Sequence, residues 1–501
     1  MKFKRILKEN LILFIILIFL PFRLYGITSP LVDATNFRQA QTATIALNFY
    51  KNGINLLKTE LDIFGIGKER FLTLEFPLYE AIITTLYKIF FMSDMWGRVV
   101  SVIFGYIGGW YVYKIVHLIL KKRSIAILSF FFFLVAPLNM LYHRDFMIET
   151  TVIAFHLAGL YHFCVWVKRN DTKHYLVSVI FLALGFMQKG VYGPFLIIPM
   201  TVYYIGVRSF RNIFSMKFIA AIVIPLGLLL LWQQHVNNIN TANGHEYFTS
   251  YNKAHLEWNF GTLADRFSTS LWQFRLNYLL SGVFLKPGLF LFVIGLSILL
   301  RIDKSRFLSA WLLSQIIYFL TYFRIQSHNY YQMFIIPITS ITMAIGLDHL
   351  SNGLSKIGRT KQRIGKYIYA IFTAIFCAFF LWRSWLHTRW DYVVDWNWYK
   401  RIVAVGNAVP GGSYGIFVTP GYDWNSVYTY YTKKKMMVVG AENVTEENIK
   451  NWKDLGYSFI VLHDYHKYPD YLAEMEKGHT LDFLDESKNI LTLNDFKVYL
   501  L

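Results

Sequence analysis

Phe76-Pro-Leu-Tyr-Glu-Ala-Ile-Ile-Thr-Thr-Leu-Tyr-Lys-Ile-Phe-Phe91 is the stretch on which the topology of this chain turns. It is apolar, but it is shorter than the ~20 residues a helix needs to cross a hydrocarbon core, and Glu80 and Lys88 interrupt it. If it crosses, every later loop changes side. If it lies flat, every later loop stays where it is.

The rest of the chain leaves no doubt that a membrane is the solvent. Of 501 residues, 55% are hydrophobic and 18% aromatic, while only 16% are charged, too little polar surface for a soluble domain. Apolar runs of spanning length occur at 11–27, 99–120, 124–142, 147–167, 174–188, 191–207, 217–232, 287–300, 307–323, 330–347 and 367–386. This pattern predicts a polytopic α-helical membrane protein with about eleven transmembrane helices. The first run follows the basic Met1-Lys-Phe-Lys-Arg-Ile-Leu-Lys8, as a signal peptide would. Pro21, Phe22, Arg23 and Tyr25 make a poor small-residue cleavage site, so it is expected to be an uncleaved anchor.

Charge then decides the fate of residues 76–91. With a cytoplasmic N-terminus and a segment that does not cross, Lys121-Lys122-Arg123, Lys168-Arg169, Arg208 and Arg211, and the basic clusters at 301–306 and 356–366 all fall inside, as the positive-inside rule demands. A crossing would put each of them outside. Residues 76–91 are therefore expected to form an interfacial or re-entrant helix attached to a long first outer loop. The same parity places outside the loops 28–98 and 233–286, His143-Arg144-Asp145, Gln188-Lys189-Gly190 and residues 324–329.

Beyond the last span the pattern changes to short strands at 414–418, 436–439 and 458–462, alternating with polar helices near 426–432, 445–455 and 468–477. Two domains are thus expected, a transmembrane part over 1–386 and a small extracytoplasmic α/β domain over 387–501. Pro410-Gly411-Gly412 precedes a strand and is a turn, not a phosphate-binding fingerprint.

The net charge of +19 does not point to nucleic acid. Residues 391–501 carry 11 Lys and Arg against 15 Asp and Glu, which leaves +23 to the membrane part, much of it in short loops suited to topology and anionic lipid contact. The two cysteines, Cys164 and Cys377, sit inside apolar spans, where small buried hydrophobes are the ordinary interpretation; neither a disulfide framework nor a metal cluster is supported.

Chemistry-bearing residues gather in the outer loops. Leu31-Val-Asp-Ala-Thr-Asn-Phe-Arg-Gln-Ala-Gln-Thr-Ala43 brings Asp33, Arg38 and Gln39 together just after the first span. A carboxylate there suits a general base or a cation ligand, and equally a helix N-cap or a solvated loop acid. Arg144 offers a planar fork for phosphate oxygens beside Asp145, and Glu149 is an acid at the mouth of an apolar helix; a structural pair of Arg144 with either acid is the alternative. Lys189, in a tight turn, and Arg98, at the start of the second span, are either phosphate-binding cations or interfacial side chains pointing into headgroups. His328, Tyr330 and Tyr331 open the tenth span, where tyrosines ordinarily form the aromatic belt. Trp258, Asn259 and Trp272 in the long loop suit sugar stacking or the same belt. There is no zinc-ligand spacing, nucleophile elbow or phosphate-binding loop.

As an ordered set, these motifs resemble the protein O-mannosyltransferase and aminoarabinose transferase group of integral-membrane glycosyltransferases, which have the GT-C fold. The resemblance rests on Asp33 followed by the helix with Arg38-Gln39, the Pro-led Phe76-Pro77-Leu78, Gly97-Arg98, the run Arg144, Met147, Glu149, then Lys189, and His328-Asn-Tyr330-Tyr331 before Pro337. It covers about the first 350 residues. It implies transfer of a sugar from a polyprenyl-phosphate donor to a glycan, lipid or protein acceptor on the outer face. In that scheme Asp33 is the general base, Glu149 the second outer-loop acid, and Arg144 and Lys189 bind the lipid phosphate. The chain departs from the group at Asp33-Ala34, where the mannosyltransferases pair Asp with Glu, and at Phe76-Pro77, which lacks the lysine and two prolines of the aminoarabinose enzymes. No metal is assigned; a divalent ion stays open. Two other functions fit a polar cavity in an apolar body: a flippase for lipid-linked saccharides, and a polymerase or ligase using diphosphate-linked donors. Against the flippase, the polar clusters lie on one side and no repeated halves are evident.

Overall fold

The computed structural model describes residues 11–302, 306–356, 362–420, 424–464 and 488–501. The basic N-terminus, parts of the 301–306 and 356–366 clusters and the helix expected near 468–477 lie outside the described residues.

A helix lies on each of the eleven expected spans. Among the described residues, six helical runs are long and apolar enough to cross a membrane: Met95–Leu120, Glu149–Arg169, Met216–Ala242, Thr269–Leu299, Asn329–Ser355 and Ile364–Ala408. Others are shorter or broken for local reasons. The expected 124–142 run divides into Arg123–Val135 and Pro137–Tyr142, because Ala136 precedes a proline and takes an extended ψ of 131°. The 76–91 stretch becomes a 12-residue helix, Leu78–Ile89, that begins directly after Pro77. At 1.5 Å per residue it reaches only about 18 Å, too short for a ~30 Å hydrocarbon core.

Internal contacts divide the chain into two compact units, one built from 1–27, 98–235 and 250–392, the other from 28–97, 236–249 and 393–501. In the first, helical unit the axis is Ile336–Ser355, buried from Ile336 to Asp348 and packed against Arg123–Val135, Leu285–Leu299 and Gln362–Thr388. Gly295 and Gly346 allow the closest of these approaches. A Cβ on Gly295 would lie 1.8 Å from the Thr342 carbonyl oxygen, and one on Gly346 would lie 2.1 Å from that of Leu291. Small residues that let backbones touch are the usual basis of helix association in lipid. At one end of the axis, Asp348 accepts from Lys122 Nζ at 2.8 Å, Ser124 Oγ at 2.7 Å and Tyr369 Oη at 2.9 Å, tying three helices with one buried carboxylate.

The second unit is mixed. Helices Asn36–Asn52 and Leu78–Ile89 pack together, with Thr84 Oγ1 donating to the Ala46 carbonyl at 3.1 Å. They accompany a five-stranded sheet made of β1 (Tyr414–Thr419), β2 (Lys435–Gly440), β3 (Phe459–His463), β4 (Lys488–Thr492) and β5 (Phe496–Leu500), in the order β2-β1-β3-β5-β4. β1 pairs in parallel with β2 and β3, and the helices Val427–Thr432 and Glu446–Asp454 supply the crossovers that parallel pairing requires. Both faces of β1 are covered: Phe417 packs with Val438, Val461 and Val498 on one side, Ile416 and Val418 with Ile449, Ile460 and Trp452 on the other. That double burial explains its unbroken apolar run. The three expected strands and the helices near 426–432 and 445–455 are present. The antiparallel pair β4–β5 adds two strands not expected from sequence.

Candidate active site

Asp33 lies in the mixed unit, just ahead of helix Asn36–Asn52, and it is buried. The residue in the N-cap position is Thr35, so capping does not explain the acid, and burial removes the solvated-loop alternative. One carboxylate oxygen of Asp33 accepts from the Gln39 amide at 2.6 Å, from the Thr35 hydroxyl at 3.2 Å and from the Thr35 N–H at 3.3 Å. Gln39 reaches it because a side chain on the first turn of a helix projects back over the preceding loop. The same amide donates to Thr35 Oγ1 at 2.7 Å, which fixes its orientation. One turn of chain thus holds an anion in a single orientation. Arg38, the neighbouring cation, is ion-paired with Glu75 and donates to Gln41 Oε1.

The helical unit assembles a second constellation. The Lys189 ammonium pairs with the Glu149 carboxylate, with the two side chains 4% and 0% exposed. Lys189 Nζ also lies 4.5 Å from the ring centre of Tyr331 and 5.0 Å from that of Tyr330. Glu149 opens helix Glu149–Arg169, where the N-terminal end of the macrodipole favours an anion. Tyr330 stacks on His328 at 5.7 Å, and His328 meets the Trp258 ring at 5.5 Å. Tyr142 donates to Asn329 and sets its ring 6.0 Å from Tyr330. Four segments far apart in sequence therefore bring an acid, a cation, an imidazole and several aromatic faces to one place. Lys189 is not an interfacial lysine reaching for headgroups, because its ammonium is buried against an acid.

A third group lies in the same unit. Arg98 and Arg144, both fully buried, donate to the Gly26 carbonyl at 2.7 and 3.4 Å. The Arg144 guanidinium also rests 4.3 Å over the Tyr392 ring. Asp145 occupies the turn beside it, its backbone carbonyl accepting from Ser101 Oγ at 2.6 Å. Arg23 joins them, donating to the carbonyls of Leu134, Asn139 and Met140. Tyr392 Oη donates to the Met140 carbonyl at 2.7 Å.

The structure thus unites Asp33 with Gln39, unites Glu149 with Lys189, Tyr330, Tyr331 and His328, and groups Arg98 with Arg144. Two members of these groups are not among the site residues expected from sequence: Glu75, one residue before Phe76, and Arg23, which figures there only in the poor cleavage site. A signal for Arg23 existed, since a guanidinium inside an apolar span is costly without dedicated acceptors. Among the described residues, His463, Asp464 and Asp495 place one ligand atom each within 4.8 Å of one another, as a metal would need. Asp495 there is already ion-paired with Arg401 at 2.6 Å, and none of the three belongs to the constellations above.

Residues 75–232 match the family of dolichyl-phosphate-mannose-protein mannosyltransferases. Among solved structures, ArnT from Cupriavidus metallidurans in the apo state superposes with a TM-score of 0.68 at 12% identity, over 98% of each chain. The same protein bound to undecaprenyl phosphate gives 0.65 at 11% identity, again over 98% of each chain. The oligosaccharyltransferase of Archaeoglobus fulgidus, in complex with zinc and sulfate, gives 0.57 at 12% identity over 92% of this chain and 69% of that one. The chain has the GT-C glycosyltransferase fold. No curated protein matches it significantly by sequence. Within the GT-C fold this chain is an integral membrane protein, and the family match begins at Glu75, so it takes in the partner of Arg38, the helix Leu78–Ile89 and the Arg98, Arg144, Glu149 and Lys189 positions.

Proposed function

We propose that this protein transfers a sugar from a polyprenyl-phosphate donor to an acceptor on the extracytoplasmic side of the membrane. The observation that carries the proposal is the buried Lys189, held by Glu149 and two tyrosines in a fold shared with a protein seen bound to undecaprenyl phosphate. A fixed cation in a water-poor site is what a departing lipid phosphate needs, because the charge it meets there is scarcely screened.

In this reading the acceptor hydroxyl or amine gives its proton to the Asp33 carboxylate as its heteroatom bonds to the anomeric carbon. The bond from that carbon to the phosphate oxygen breaks, its electron pair stays on the oxygen, and polyprenyl phosphate is released. Lys189 and Arg144 meet the phosphate, with Arg98 beside Arg144. Glu149 keeps the Lys189 ammonium in place, while Tyr330, Tyr331 and His328 offer faces and donors to the sugar. Gln39 orients Asp33, and Arg38 with Glu75 holds the same helix. Asp145 fixes the turn that presents Arg144.

The test is release of free polyprenyl phosphate by the purified protein from a panel of polyprenyl-phosphate sugars in the presence of extracted envelope acceptors. Release by the wild type and not by Asp33→Asn supports the proposal. Movement of lipid-linked saccharide across proteoliposomes without any release sinks it in favour of a flippase, and release of lipid diphosphate favours a polymerase or ligase.

A further inference from the structure

The loop that carries Asp33 is gripped on both sides by the C-terminal part of the chain. On the near side, Tyr431 Oη accepts the N–H of Leu31, two residues before Asp33, and donates to Asp94 Oδ2 at 2.7 Å. Its neighbour Tyr430 donates to the other oxygen, Asp94 Oδ1, at 2.5 Å. The Val32 carbonyl accepts from the Asp395 N–H at 3.5 Å. On the far side, the Trp424 ring meets Phe37 edge-on at 5.3 Å. Contacts at 31, 32 and 37 therefore bracket the acid, and Thr35 and Gln39 hold it within the bracket.

The chemistry of a phenol makes this arrangement directional. A tyrosine hydroxyl has one proton and two lone pairs. Given to Asp94, the proton leaves a lone pair facing Leu31, so the carboxylate decides which way the hydroxyl points and the hydroxyl decides where Leu31 sits. Tyr430 and Tyr431 are consecutive on helix Val427–Thr432, with their rings 77° apart, and both hydroxyls still reach one carboxylate. Asp94 is thus clamped across the helix. Tyr399, edge-on to Tyr431 at 5.0 Å, backs the ring from the other side. Burial and the Asp94 charge push the Tyr430 hydroxyl well above its usual range, so it stays a donor.

We propose that Tyr431 is a positioning residue for Asp33: through the Leu31 N–H and the Asp94 carboxylate, the C-terminal α/β domain sets the place of the base. The proposal rests on reading Asp33 as the general base. It gives that domain a part in the reaction without any direct contact with substrate.

Tyr431→Phe removes the acceptor for Leu31 and one donor to Asp94 while keeping the ring. Misplacement of a reacting group by about 1 Å costs on the order of a hundredfold in rate, so kcat is expected to fall roughly tenfold or more, with the donor KM within about twofold of wild type. Asp94→Asn is expected to change kcat in the same direction. Amide exchange of the full-length protein in detergent supplies a readout free of activity: residues 31–37 should exchange faster in Tyr431→Phe, while β1 keeps its protection. A merely structural clamp would lower the thermal midpoint and the folded fraction, and leave kcat per folded molecule unchanged. If wild type releases polyprenyl phosphate and Tyr431→Phe matches its kcat, the proposal is wrong, whatever the exchange shows. If wild type releases none from any donor, the transferase reading fails, and unchanged exchange at 31–37 would separately remove the tether.

Discussion

The Lys189 ammonium lies on the Glu149 carboxylate, and neither group has appreciable contact with solvent. Removing one partner of such a pair strands the other charge, which costs about 3–5 kcal/mol, whereas replacing both with neutral groups of similar shape is often close to neutral. Lys189→Met and Glu149→Gln should therefore each destabilise the protein, and the double variant should recover most of the loss. Activity should not follow stability. Since the proposed function has Lys189 meet the donor phosphate, the double variant is expected to melt near wild type in detergent and still release at least a hundredfold less polyprenyl phosphate. Recovery of activity along with stability would show the pair to be structural only.

Asp33 and Gln39 separate the proposed base from the group that aims it. Asp33→Asn keeps the shape and a hydrogen-bond acceptor but removes the proton-accepting charge, so kcat should drop by at least the ~100-fold typical of general-base loss, with donor KM little changed. Gln39→Leu leaves the charge and removes the amide 2.6 Å away. It is expected to lower kcat by about tenfold, because one hydrogen bond to a charged group contributes roughly 1.5–3 kcal/mol and Thr35 still holds the carboxylate. The ratio of the two effects, measured under saturating donor, is the check.

The helices were legible because lipid enforces long apolar runs, and Glu80 and Lys88 interrupt the apolar run at 76–91, which forms only the short helix Leu78–Ile89. The parallel strands β1, β2 and β3 were legible for a related reason, since burial on both faces leaves them continuously apolar. β4 was not, because its residues are largely exposed or half-buried and Lys488-Asn489 opens it with polar side chains. The site divides along the same line. Asp33, Glu149 and Lys189 stand out as charges beside apolar spans, and Gln39 is close enough along the chain to be grouped with Asp33, but the pairing of Glu149 with Lys189, of Lys189 with Tyr331 and of Arg38 with Glu75 is set by three-dimensional proximity, which spacing along the chain does not encode. For Arg23 the guanidinium inside an apolar span was the one sign in the sequence, because its acceptors, the backbone carbonyls at 134, 139 and 140, have no side-chain signature.

Gly346 offers a test of the helical core that is independent of any chemistry. A methyl there would meet the Leu291 carbonyl oxygen at 2.1 Å, and backbone of a neighbouring helix cannot swing aside as a side-chain tip would. Gly346→Ala should cost at least the ~1–3 kcal/mol of ordinary overpacking. The same change at Gly353, which has nothing within 4 Å, should be neutral or slightly stabilising through helix propensity. Thermal midpoints of the two variants in one detergent decide the matter, and equal midpoints would show that the helices part at this contact.

The mixed unit should carry a measurable pH signature at Asp62. Burial raises its carboxyl above the usual range, opposed chiefly by Lys435, with nearby Glu60 adding to the rise and the Asn48 amide, 3.1 Å away, lowering it. A raised folded-state value means that the native protein holds this proton more tightly than the unfolded chain does. Its contribution to stability is then fully present below the ordinary carboxylate range and is lost as pH rises through the folded value. Wild-type stability should therefore contain a component that falls over the pH interval just above the ordinary carboxylate range, and Asp62→Asn should remove it. The amide keeps an oxygen for Asn48 and gives up only a 3.8 Å ionic contact with Lys435, whose ammonium retains Glu60. At neutral pH the variant is expected to equal or exceed wild type in midpoint, with the gap closing as the pH falls towards 4. Measured across that range by denaturant unfolding of the full-length protein, a gap that widens at low pH would mean that the Lys435 attraction outweighs the desolvation of Asp62.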